Sequence, residues 1–159
     1  MAVDFSAFDA KMDPNLQEDV KNAKDFADVP NGDYIVGVDK MEVKLTKKKD
    51  KLMFSVQMTV KEKSDGSQTE MKGRKIFFNR VIYGNRASES WNDGRAIKSV
   101  ITWLGKLDTG IELEFVNYSD FADLVLDVFQ EIQNKVELDV TYKADDFNPV
   151  TINEVYDLN

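Results

Sequence analysis

The sequence predicts a mainly β fold, with helices inserted between the third and fourth of five strands. Three observations predict it. Apolar and polar residues alternate from Asp33 to Tyr83 and again after Val136, the period of half-buried strands. Between those stretches the apolar residues recur at helical spacing, from Ile97 to Leu104 and from Phe121 to Ile132. The first strand also switches the parity of its apolar residues midway, which one strand achieves only through a bulge or a sharp coil.

The elements follow in order. Residues 1–30 are expected to be an acidic extension ahead of a domain over 31–159, because apolar residues are sparse there (Phe5, Phe8, Met12, Leu16, Val20, Phe26). Asp13-Pro14 suits the start of a short helix, with Asp13 as N-cap and Pro14 at the first helical position. Val29-Pro30-Asn31-Gly32 reads as a turn into the first strand. There Tyr34, Val36 and Val38 share one face, then Met41, Val43 and Leu45 continue it, with the change near Asp39-Lys40. Thr46 to Asp50 is a lysine-rich hairpin tip, and Leu52, Phe54, Val56, Met58 and Val60 make the second strand. After a turn at Ser64-Asp65-Gly66-Ser67, the third strand runs from Arg74 to Tyr83.

Ser90 and Asp93 resemble a capping box for a helix carrying Ile97, Val100, Ile101 and Leu104, which Gly105 can close. A second helix is expected from Asp120 to Ile132, capped by Ser119, with Asp120 and Asp123 favourably placed in its first turn. Val136, Leu138, Val140 and Tyr142 mark the fourth strand; after the Ala144 to Asn148 loop, Val150, Ile152 and Val155 mark the fifth. Strand, strand, strand, helix, strand, strand is the order of the five-stranded OB-fold barrel, here with one extra helix. A first strand that changes face midway suits barrel closure. The alternative is an open α+β sheet with helices on one face.

Composition excludes whole classes of chemistry. The 159 residues contain neither cysteine nor histidine. Disulfides, thiolate catalysis, a His general base, a Ser-His-Asp triad and His/Cys zinc sites are therefore ruled out. A metal would need an all-oxygen site, yet no EF-hand spacing, Walker loop or dinucleotide fingerprint occurs. No cofactor is expected, and an enzyme is not expected; a carboxylate-dependent metal nuclease is the weakest of three readings. The N-terminus lacks the basic-then-apolar pattern of a signal peptide, and no apolar run reaches the length of a membrane span.

The net charge of −8 hides a segregation of sign. Tyr34 to Val100 holds 15 Lys+Arg against 8 Asp+Glu, whereas Ile101 to Asn159 holds 3 against 13. If the middle third forms one continuous surface, that surface suits a polyanion. On an OB barrel the binding face is that of strands two and three, flanked by the loops between strands one and two and between strands four and five. The first loop carries Lys47, Lys48, Lys49 and Lys51; the third strand carries Arg74, Lys75, Phe77, Arg80 and Tyr83, followed by Arg86; the last loop carries Phe147. Cations for phosphates and flat rings for bases are what a single-strand binder needs. Each also has a plain structural use. The Lys run can be a solvated tip that protects an edge, and Trp91 and Trp103 suit packing of a helix on the barrel. Alternation turns Ile76, Phe78 and Ile82 inward and leaves Phe77 and Tyr83 outward. It also turns Arg80 inward, which burial of a cation disfavours unless the strand bulges.

At Val29-Pro30-Asn31-Gly32-Asp33-Tyr34 and Gly73-Arg74-Lys75-Ile76-Phe77-Phe78-Asn79, the chain resembles a bacteriophage family long described as a domain of unknown function. Its members are viewed as OB-fold single-stranded DNA-binding proteins. The likeness covers roughly Phe26 to Asp157 and implies a role beside phage recombinases or replication proteins, in the cytoplasm of an infected bacterium. It singles out Arg74, Lys75 and Phe77 for testing. Bacterial single-strand binders usually recruit partners through a disordered acidic tail ending in Pro-Phe, whereas Glu154-Val155-Tyr156-Asp157-Leu158-Asn159 lacks that ending. The expected function is binding of single-stranded DNA without sequence preference, with assembly into a homo-oligomer as one way to lengthen the site. The competing expectation is an acidic protein-interaction module on a β-barrel scaffold.

Overall fold

A computed structural model describes residues 3–22, 29–85 and 91–158. Two short helices, α1 (Phe5–Asp9) and α2 (Leu16–Asn22), precede β1 (Gly32–Leu45), β2 (Leu52–Lys63) and β3 (Lys75–Tyr83). Then come α3 (Asp93–Gly105), α4 (Tyr118–Ile132), β4 (Val136–Tyr142) and β5 (Val150–Asp157). The strands form one antiparallel sheet in the order β3-β2-β1-β4-β5. The five strands and the helical insertion are as expected. The hydrogen-bonded barrel is not: among the described residues no ladder joins β3 to β5, so the sheet is open there.

α3 lies across that opening. Its Trp103 packs against Phe78 of β3 and Phe54 of β2, with ring centroids 5.4 and 5.9 Å away. The Trp103 indole N–H donates to the Val150 carbonyl of β5 at 3.1 Å. An amphipathic helix thus does through side chains what a β3–β5 ladder would do through backbone. α4 contributes Phe121, Val125, Val128 and Ile132 to the same core. The inward residues of the sheet, among them Val36, Met41, Phe54, Val56, Met58, Ile76, Phe78, Leu138 and Val140, complete it. Burying each large apolar side chain contributes roughly 1.5–3 kcal/mol, which makes this single core the main source of stability.

The parity change in β1 is a bulge. Val38 pairs with Met58 and Lys40 with Gln57, so Asp39 stands opposite nothing. A second bulge explains the spacing of Val150, Ile152 and Val155: Asp139 pairs with Glu154 and Val140 with Ile152, leaving Asn153 extra. The helix caps differ from expectation. Asn92, not Ser90, caps α3 by accepting from the Arg95 N–H at 3.1 Å; Ser90 itself lies outside the described residues. Asn117, not Ser119, caps α4, accepting from the Asp120 N–H at 2.8 Å, so that helix begins at Tyr118. Asp13 accepts from the Asn15 N–H at 2.8 Å, and α2 starts at Leu16, later than the Asp13-Pro14 signal implied.

Candidate functional site

The outer face of β1, β2 and β3 is built by alternation. With Val56, Met58, Ile76 and Phe78 turned inward, the register sets Lys40, Gln57 and Phe77 side by side on the other face, with Glu42, Ser55 and Asn79 in the next row. Lys44 follows in phase. Phe77 is 52% exposed, a large ring standing in solvent at the middle of this surface. It borders a shallow depression of about 70 Å³ shared with Lys40, Glu42, Lys44, Ser55 and Gln57. Lys40 pairs with Glu42 at 3.4 Å, an exposed contact of little energetic weight.

The Asp39 bulge sets the far end of this surface. Its extra residue turns outward, where its carboxylate meets the Lys75 ammonium at 3.0 Å and accepts from the Thr59 hydroxyl. Burial alone would raise the Asp39 carboxyl, but hydrogen bonds from Thr59 and Lys75, with the charge of Lys75, outweigh it and hold the group below its ordinary value. Lys75 is thus exposed yet already paired.

At the other end of β3 lies a hollow of about 500 Å³ lined by Lys51, Asn79, Arg80, Val81, Gly84, Asn85, Trp91 and Phe147. Arg80 is buried, 7% exposed, and it points inward without any bulge before it; the irregularity of β3 falls later, at Ile82. Its guanidinium donates to Ser99 Oγ at 2.8 Å, the Phe147 carbonyl at 2.6 Å and Asn148 Oδ1 at 3.3 Å. It also stands 4.7 Å from the Phe147 ring centre and 5.3 Å from those of Trp91 and Phe78. Hydrogen bonds and ring faces replace the water that the cation loses. Burial pushes its basicity below the usual arginine value, and a guanidinium nevertheless keeps its charge.

The predicted site residues are therefore only partly gathered. Lys51, Arg80 and Phe147 meet at the hollow, as the loop-flanked face requires. Lys47, Lys48 and Lys49 are exposed at the hairpin tip; they share that end of the sheet, because Leu52 pairs with Tyr83. Tyr83 is half-exposed and meets Tyr118 edge-on, centroids 5.7 Å apart. Lys75 and Phe77 lie along the outer face, toward the opposite end. Arg74 stands one residue before β3, half-buried and in phase with the inward Ile76, so it does not join them. Arg86 lies outside the described residues. Sequence reasoning missed Lys40, Lys44 and Gln57, whose outward phase was legible once the bulge at Asp39 was granted. It placed packing ahead of stacking for Trp91, which meets Phe147 edge-on at 4.5 Å on the wall of the hollow.

Among the described residues no group of three or more Asp or Glu side chains is gathered to hold a metal. No described helix is long and apolar enough to cross a membrane.

Fold and surface together define a small mainly β protein whose open antiparallel sheet bears a lysine-dotted face with an exposed ring. The chain belongs to the family described as "Protein of unknown function (DUF669)", whose model matches residues 16–157. None of the curated proteins matches the chain.

Proposed function

We propose that this protein binds single-stranded DNA without reading a fixed sequence, and that it supports phage replication or recombination in the bacterial cytoplasm. The observation that carries the reading is Phe77, half-exposed at the centre of a face that also presents Lys40, Lys44 and Lys75. A ring of that size normally goes to the core; set among cations, it suits stacking by a base whose phosphates the lysines neutralise. We read the sheet as an OB-fold barrel left open between β3 and β5. Its strand order, the helices between β3 and β4, and the placement of the hollow between the two flanking loops support that assignment. Phage recombinases or replication proteins are the expected partners, and no catalytic role is proposed.

A second reading has its own observation. α1 and α2 expose Phe5, Phe8, Leu16 and Val20 on an acidic segment, which suits docking to a basic protein. A gel shift with labelled oligothymidylate at two salt concentrations separates the readings. The DNA reading expects a complex at low salt that weakens steeply as salt rises; no complex at low salt leaves the interaction module.

A further inference from the structure

We propose that the hollow beside β3 is a subsite for one base of the bound strand, and that it favours the keto bases thymine and guanine over adenine. This rests on the single-strand reading above and adds a local preference to it.

The walls are suited to a flat, acceptor-rich group. Phe147, 58% exposed, and the half-buried Trp91 meet edge to face, so a planar ring can lie against one of them. Arg80 is the charged element. Its hydrogen-bond partners are a hydroxyl, a carbonyl and an amide oxygen, and among the described residues no carboxylate pairs with it. Among the described residues these contacts use three of its five N–H donors. Asn79 adds to them: its Oδ1 already accepts from the Ser55 hydroxyl at 2.7 Å, so its amide N–H groups are what remain for a ligand. Lys51 brings an ammonium. Asn85 is the exception, its amide N–H donating to the Val81 carbonyl at 2.9 Å and its own carbonyl left over.

A site dominated by donors prefers bases that present carbonyl oxygens. Thymine offers O4, and guanine offers O6 beside N7. Adenine instead presents its 6-amino donor, which would face further donors and leave groups unpaired. A hollow of about 500 Å³ falls in the range of small-ligand sites. Position adds a further argument. Asn79 lines the hollow and also stands on the outward face one row on from Phe77, so a strand stacked on Phe77 can lead into it.

Arg80 variants risk unfolding the protein, because its side chain joins β3 to the β4–β5 loop. Asn79→Ala and Phe147→Ala, both at exposed positions, are the working probes. Dissociation constants are measured by fluorescence anisotropy for oligothymidylate and oligoadenylate of equal length at one salt concentration. The expected result is about tenfold tighter binding of oligothymidylate by the unmodified protein, of the size that base-edge contacts confer. Both variants should shrink that ratio by about threefold or more, while Phe77→Ala weakens the two oligomers alike. If both oligomers bind but the variants leave their ratio unchanged, the subsite is overturned and the single-strand reading stands. If the unmodified protein binds neither, the single-strand reading itself fails.

Discussion

Phe77 and Arg80 sit three residues apart on β3, and their fates show how a single strand serves two faces. Phe77 is half-exposed and lies outside the buried core, so its removal should leave the fold intact. Phe77→Ala is expected to weaken single-stranded DNA binding by roughly 1–3 kcal/mol, the worth of one stacked base, with an unchanged melting temperature; titration and thermal denaturation check the two halves. Arg80 is the reverse case. Arg80→Met removes a side chain that bonds Ser99, Phe147 and Asn148, and hydrogen bonds to charged groups contribute roughly 1.5–3 kcal/mol each. A clear loss of stability in a denaturant melt is expected. The outward setting of Phe77 was legible in the sequence, since alternation alone decides it. The inward setting of Arg80 was not. Its acceptors come from α3 and from a loop 67 residues downstream, so nothing local advertises that a buried cation would be satisfied.

At the scale of elements, the bulge in β1 decides more than strand curvature. By turning Asp39 outward it ties down Lys75, one of the cations a strand of DNA would use. Asp39→Asn should release that lysine and tighten single-strand binding at low salt. It should also steepen the logarithmic salt dependence by about 0.7, the share of one phosphate contact on a single strand. The pH dependence follows from the same contact. Asp39 has a lowered pKa when folded, so its contribution to stability is present above the ordinary carboxylate value near 3.9 and is lost as pH falls through the lowered one. Acid melts of Asp39→Asn should therefore lose part of that slope. The pattern of five strands and two main helices was readable because periods of two and of helical spacing are strong signals. Cap positions were not, because Ser90, Asn92, Asn117 and Ser119 are all competent caps and the tertiary entry of the chain chooses among them. The opening between β3 and β5, where a closed barrel was expected, was equally hidden. Trp103 of α3 spans that opening by packing on Phe78 and bonding to Val150, and Trp103→Phe, which loses the bond, should cost about 1 kcal/mol in a thermal melt.

Over the whole molecule, the segregation of charge along the chain becomes a segregation across the sheet. The outward residues of β1, β2 and β3 include Lys40, Lys44 and Lys75, with Glu42 beside Lys40 and Asp39 beside Lys75, whereas those of β4 and β5 include Glu137, Asp139 and Glu154 and no lysine or arginine. Antiparallel pairing through β1 lays the two halves side by side, so on the proposed reading a polyanion should favour the lysine-bearing half over the acidic one. With a net charge of −8, any attraction for a polyanion has to come from this local field, and on the proposed reading the lysine–phosphate contacts are what should make binding fall with salt. The most direct measurement is a backbone amide NMR titration of the protein with oligothymidylate at low salt. Perturbations gathered at Lys40, Lys44, Phe77 and Asn79, with β4 and β5 quiet, are the expected result. Perturbations confined to the acidic half or to α1 and α2, or none at saturating oligonucleotide, would contradict the assignment of the β1–β3 face to DNA.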